Sequence, residues 1–215
     1  MAAVSSKHLI DAIRRMDLVE AARLNSGVIN PSELANCARD AGLTVIGEGF
    51  YSLVVRNPTM PGVIKINKLI GDPWSHYARY SMDQTDNPMV PKIHKFFTNE
   101  SGTKFVAWME ELSKAKIEQS IGMHMVVSAV GNPEFSRTYP DDRMAKRKIK
   151  DFLTKWFALD YKGRYNDGDL ARIVVWMAET IKTYGFCSDC HPGNWMIRGD
   201  QLVLIDPLCR SQALS

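Results

Sequence analysis

Three oxygen-bearing side chains stand close together near the end of the chain. The sequence reads Cys187-Ser188-Asp189-Cys190-His191-Pro192-Gly193-Asn194, and an apolar hairpin then leads to Asp206. Asp189 precedes Asn194 by five positions, and Asp206 follows Asn194 by twelve. Two aspartates and an asparagine on a loop flanked by strands can supply one base and two oxygen ligands around a magnesium–phosphate group. That is the chemistry of phosphoryl transfer from ATP. The remainder of such a site needs a cation for the phosphates and a backbone that lets them approach.

Upstream residues offer both. Gly47-Glu48-Gly49-Phe50-Tyr51-Ser52-Leu53-Val54 places small residues where N–H groups can reach phosphate oxygens with no side chain between. No helix pattern opens after these glycines, so a glycine-rich β-hairpin is expected rather than a dinucleotide-binding turn. Lys65 sits inside Val63-Ile64-Lys65-Ile66, where an ammonium needs an anionic partner because unpaired burial is costly. Met109-Glu110-Glu111-Leu112 ends an apolar run, and its backbone can hydrogen-bond an adenine. Each segment also has a plainer reading: a turn, an edge-strand lysine, a strand end.

The elements that must position these residues follow from pattern. One helix is expected from Ser5 or Ser6 to about Leu24, with Leu9, Ile10, Ile13 and Met16 on one face. A second starts at Asn30-Pro31 with Glu33 completing a capping box, and stops at Gly42. Strands are expected at Leu43–Ile46, Tyr51–Arg56, Gly62–Asn67, Lys92–Thr98 and Thr103–Glu110, with a short helix near Trp74–Met82. Helices follow over roughly 113–130, 142–161 and 168–184, and a hairpin pairs Asn194–Ile197 with Leu202–Ile205. Strands followed by helices indicate an α+β fold. The expected division is 1–42 as an N-terminal helical extension, 43–111 as a strand-rich lobe and 112–215 as a helical lobe carrying the loop and hairpin.

Gly47–Val54, Lys65, Met109–Leu112, Asp189 with Asn194, and Asp206 occur in the order and spacing of the protein-kinase-like superfamily. The chain resembles that superfamily over roughly 43–211. Its Asp-x-His-x-Gly-Asn loop and Asp206-Pro207 are similar to the early serine/threonine kinases of small lytic podophages. The resemblance implies a truncated two-lobed kinase fold, a small antiparallel sheet lobe plus a helical lobe. It implies Mg²⁺ and ATP as cofactors, autophosphorylation, and host proteins of transcription or RNA processing as substrates. Asp189 would orient or deprotonate the attacking hydroxyl, Asn194 and Asp206 would hold Mg²⁺, and Lys65 would grip the α and β phosphates. Val54 and Val63 would sandwich the adenine. Gly47, Gly49 and Ser52 would line the phosphates, with Glu110 and Leu112 beside the base. Ser211 is a candidate autophosphorylation site.

The chain departs from the common kinase pattern at Ser52, at Cys187-Ser188 before the aspartate, and at Pro207-Leu208 after Asp206. The helix near 74–82 has no glutamate, which leaves Asp72 or Asp83 to pair with Lys65. Alternatives within the fold are a small-molecule phosphotransferase and a non-catalytic pseudokinase that blocks a host factor. Outside it, Cys187-Ser188-Asp189-Cys190-His191 matches a haem-attachment or redox pattern, and Cys187, Cys190, His191 and Cys209 could be read as zinc ligands.

Composition constrains the rest. The chain has 215 residues, enough for one domain or two small lobes, with 45% hydrophobic and 24% charged residues. A net charge of +3 slightly favours acidic partners, and direct nucleic-acid binding is not expected. No signal peptide and no membrane span are read from the sequence, and four cysteines are too few for a disulfide framework. A cytoplasmic setting is the expectation. Arg143, Lys146, Arg147, Lys148 and Lys150 form a solvated helix face or a docking surface for acidic partners. Trp74, Trp108, Trp156, Trp176 and Trp195 are expected in the core.

Overall fold

The computed structural model describes residues 6–26, 30–115 and 167–210. They form two compact units. One comprises the chain up to Ala78 together with Lys92–Glu111; the other comprises Arg79–Pro91 and the chain from Leu112 onward.

The first unit begins with three helices: α1 (Ser6–Arg14), α2 (Leu18–Leu24) and α3 (Pro31–Asp40). Leu9, Ile10 and Ile13 are buried along α1, as the 3.6-residue period requires. The single helix expected to reach Leu24 is broken into α1 and α2. Met16 adopts φ 63°, and the Asp17 carboxylate accepts the Glu20 N–H at 3.0 Å, which starts a new helix. At α3 the Asn30 side chain accepts from the Ser32 and Glu33 N–H groups at 3.1 and 3.4 Å.

Five strands follow: β1 (Thr44–Glu48), β2 (Ser52–Arg56), β3 (Val63–Asn67), β4 (Ile93–Thr98) and β5 (Phe105–Met109), with α4 (Trp74–Asp83) between β3 and β4. They form one antiparallel sheet in the order β1-β2-β3-β5-β4. The sheet has two different faces. Leu53, Val55, Ile64, Ile66 and Val106 point to one side and share a core with Leu9, Ile13, Ala21, Leu34 and Ala38 of the helices. Helices α1–α3 thus belong to the same compact unit as the sheet. A fully buried asparagine joins the layers: Asn25 Nδ2 donates to the carbonyls of Asn67 and Phe105 at 3.0 and 3.1 Å. On the other face Trp74 stacks on Phe105, with ring centroids 5.0 Å apart.

The second unit is built on α5 (Asp167–Tyr184), whose Leu170, Ile173, Val174 and Met177 are buried. After it come β7 (Phe186–Ser188), a 3-10 turn (Pro192–Asn194), β8 (Trp195–Arg198), β9 (Gln201–Leu204) and β10 (Leu208–Arg210). The expected β8–β9 hairpin is present. Ser113 and Lys114, expected to open a helix, instead form β6 and pair with Ile197 and Met196 at the edge of β8. The β7–β10 pair was not foreseen, because three-residue strands are too short to show alternation. Residues 84–90 are tied into this unit: Arg172 bonds Gln84 and Asp86, and Arg198 donates to the carbonyls of Pro88 and Val90. The remaining expected helical stretches, the basic run at 143–150, Trp156 and Ser211 lie outside the described residues.

The described residues are therefore mixed α+β, with antiparallel sheets and several helices. Among them no helix is long and apolar enough to cross a membrane.

Gly62 offers a direct check on the sheet. It adopts φ +84°, and an added Cβ would lie 2.4 Å from the Met109 carbonyl oxygen. Gly62→Ala should destabilise the protein by about 1–3 kcal/mol, read from urea unfolding. Gly102→Ala, with φ +68° but nothing within 4 Å, should cost less.

Candidate functional site

The sheet register brings several sequence-predicted residues together in the first unit. Val54 is the cross-strand partner of both Gly47 and Lys65, and Lys65 is that of Ala107. These residues form one row on the face turned away from α1–α3, and Val63 opposite Met109 forms the next. Strand alternation explains the arrangement, since Ile64 and Ile66 must enter the helix-covered core and Lys65 must then face the other way.

Lys65 is only 6% exposed. Its Nζ lies 4.2 Å from the centroid of the Trp74 ring, a cation–π contact worth about 2 kcal/mol when desolvated. Asp72 has another task. Its carboxylate accepts the Trp74 N–H at 2.9 Å, starting α4, and an Asn67 Nδ2–H at 3.1 Å. Asp83, the other acid considered for Lys65, is exposed at the last position of α4.

The glycine turn is held from beneath. Gly49 N–H donates to Ser52 O at 2.9 Å, Lys68 N–H donates to Tyr51 O at 2.7 Å, and the buried Lys68 ammonium lies 3.5 Å from Glu48 Oε1. Gly47 and Gly49 have φ values outside the left-handed region. A Cβ would meet nothing within 4 Å at Gly47 and only Ser52 O at 3.9 Å at Gly49. Packing does not require glycine at either position, and the missing side chains leave the backbone of the turn uncovered there. Beyond β5, Glu110 N–H is taken up by Lys92 O at 3.0 Å and the Glu110 carboxylate by Lys92 N–H.

In the second unit the loop after β7 is stitched to the strand ends that follow it. Asp189 N–H donates to Pro207 O at 2.8 Å, and Ile205 N–H donates to Asn194 O at 2.8 Å. The Asn194 side chain completes the closure. Its Nδ2 donates to Asp189 O at 2.5 Å and to Asp206 O at 2.7 Å. One amide therefore brings the backbones of Asp189 and Asp206 to a common point and turns its own Oδ1 the other way. The three side chains are partly exposed. Their donors are carboxylate and amide oxygens, hard ligands of the kind magnesium takes. Among the described residues no three His, Cys, Asp or Glu side chains converge as a metal cage. Magnesium needs none, since it keeps several waters and uses one or two protein oxygens.

The cysteine readings fare differently. Cys190 is 2% exposed and directs its thiol at Pro207 O, 3.7 Å away. Burial pushes that thiol up to about 12, and burial likewise raises Cys209 to about 11. Such thiols stay protonated at neutral pH. Cys190 serves as a packing residue beneath the loop rather than as an accessible thiol.

Sequence reasoning missed Trp74 as the neighbour of Lys65, and Lys68 as a clamp on the glycine turn. A lysine just after an apolar strand carries no periodic signal of its own, and the tryptophan was assigned simply to the core.

Two outcomes are expected. Asn194→Ala should cost about 1–3 kcal/mol of stability by leaving two carbonyls unpaired, measured by thermal or urea unfolding. Native Cys190 should resist iodoacetamide at pH 8 and react after denaturation, read by peptide mass spectrometry. Its folded value lies above the ordinary 9.0, so its contribution is complete below pH 9 and should be lost as pH rises towards about 12. No protein-family model matches the chain, and no curated protein matches it significantly.

Proposed function

We propose that this chain is a Mg²⁺–ATP-dependent phosphotransferase of the two-lobed protein-kinase-like kind, acting on serine or threonine hydroxyls of proteins, itself included. The observation that carries the proposal is the Asn194 amide joining the carbonyls of Asp189 and Asp206. It supports a loop in which one carboxylate is available as base while an amide oxygen and a second carboxylate serve a cation. The buried Lys65 ammonium, in register with Val54 and Gly47, supports the same reading.

On this proposal each residue has a defined task. Lys65 neutralises the α and β phosphates from a site where water screens little, so its charge acts strongly. N–H groups at the tip of the turn, other than the Gly49 N–H that bonds Ser52 O, approach phosphate oxygens. Val54, Val63 and Ala107 form the apolar seat of the base. Asp189 accepts or orients the proton of the attacking hydroxyl, and Asn194 and Asp206 would hold the magnesium ion. When bound, that ion supplies charge neutralisation of the phosphates and alignment of the transferred group. The resemblance to early phage kinases makes host transcription and RNA-processing proteins the substrates to try first.

A non-catalytic binding role has one observation in its favour: α4 carries no glutamate, and the Asp72 carboxylate that precedes it is engaged by the Trp74 N–H and by Asn67. Incubating purified protein with Mg²⁺ and γ-labelled ATP, with and without cell extract, separates the readings. Label is expected in protein, and Asp189→Ala should lower the transfer rate by about 10²–10⁴-fold. Lys65→Met, which keeps the buried volume, should lower it about tenfold or more. Label confined to small molecules would point to a metabolite kinase. No transfer by the unaltered protein would leave the binding role.

A further inference from the structure

His191 stands two residues after Asp189 and begins the 3-10 turn Pro192–Asn194. Its Nδ1 accepts the backbone N–H of Gly193 at 3.0 Å. A nitrogen that accepts must keep its lone pair, so the proton of the neutral ring is on Nε2. That nitrogen is the one turned to the base: Nε2 lies 3.9 Å from Asp189 Oδ1. Gly193 makes the ring's position possible. A Cβ there would stand 2.8 Å from His191 Cε1 and 3.0 Å from its Nδ1. The backbone thus sets both the direction of the imidazole and which of its nitrogens carries hydrogen.

We propose that His191 is a positioning residue for Asp189, its Nε2–H holding one carboxylate oxygen so that the other is presented to the acceptor hydroxyl. The inference rests on the phosphotransfer reading and assigns that reading a residue outside the catalytic set described above. The 3.9 Å separation is longer than a hydrogen bond, and both groups are partly exposed. Catalytic hydrogen bonds are often long in the unliganded enzyme and tighten when substrate is bound.

Two near-isosteres separate this role from a purely structural one. Asparagine places its amide group near the Nδ1 position, so His191→Asn can keep the cap on Gly193 while losing the donor towards Asp189. Glutamine reaches the Nε2 position, so His191→Gln can keep that donor. With γ-labelled ATP and the protein substrate phosphorylated in extract, His191→Asn should lower kcat about tenfold, leaving KM for ATP and the melting temperature within error. His191→Gln should retain most of kcat. Gly193→Ala, which displaces the ring, should match His191→Asn. Wild-type kcat in His191→Asn overturns the inference while the phosphotransfer reading stands. No transfer by the unaltered protein ends both together. A readout independent of activity is the ¹⁵N spectrum of the imidazoles, assigned by the signal missing in His191→Asn. The Nε2–H tautomer is expected, and the Nδ1–H tautomer overturns the inference.

Discussion

One side-chain amide organises the candidate site. Asn194 Nδ2 donates to the carbonyls of Asp189 and Asp206, two residues seventeen positions apart in the chain. Carbonyls at strand ends have no ladder partner, and leaving them unpaired in a half-buried loop costs free energy. Asparagine answers that need with its nitrogen and keeps its oxygen for another purpose. An aspartate at 194 would set a carboxylate against two carbonyl oxygens, and a leucine would leave both orphaned. Supporting bonds repeat the logic, with Asp189 N–H on Pro207 and Ile205 N–H on Asn194. Structural closure and chemical capacity thus come from the two ends of one side chain.

The first unit shows a comparable division of labour at the scale of a sheet. An antiparallel sheet has two faces, and three helices cover one of them with a continuous apolar core. That cover accounts for Ile64 and Ile66 and compels the intervening Lys65 to the other side. An ammonium there must be accommodated, and Trp74 provides a π face for it. The aromatic group Trp74, Phe96 and Phe105 in turn anchors α4. Helix start, aromatic stack and buried cation form one connected set, in which Asp72 acts on the backbone of α4.

Much of this was legible from local pattern. All five strands of the main sheet overlap the runs that pattern marked out, because strand faces repeat every two residues, although β1 continues through Gly47 and Glu48, which were expected in the turn. The Asn30-Pro31 helix start was legible because capping is a local contest for N–H groups. The break at Met16-Asp17 was not: Leu18, Ala21 and Ala22 continue an apolar face, and nothing local marks the backbone reversal at Met16. Ser113-Lys114 misled for a related reason. Two polar residues have no intrinsic preference for strand, and they are extended because β8 has an edge to be paired. The Cys-x-x-Cys-His pattern does not tell an accessible thiol from a packed one, and burial of Cys190 is decided by the fold.

What the sequence determined alone was the inventory and its order: a glycine turn, a lysine centred in an apolar strand, and an Asp, an Asn and a second Asp at fixed spacing. Periodicity and capping are properties of neighbours in the chain, so they are written there. Only the tertiary structure decided which of these residues stand together. Cross-strand register set Gly47, Val54, Lys65 and Ala107 in one row, and a single amide joined Asp189 to Asp206. Those pairings depend on which edges, faces and carbonyls remain to be satisfied once the chain has packed. No local stretch of sequence contains that information.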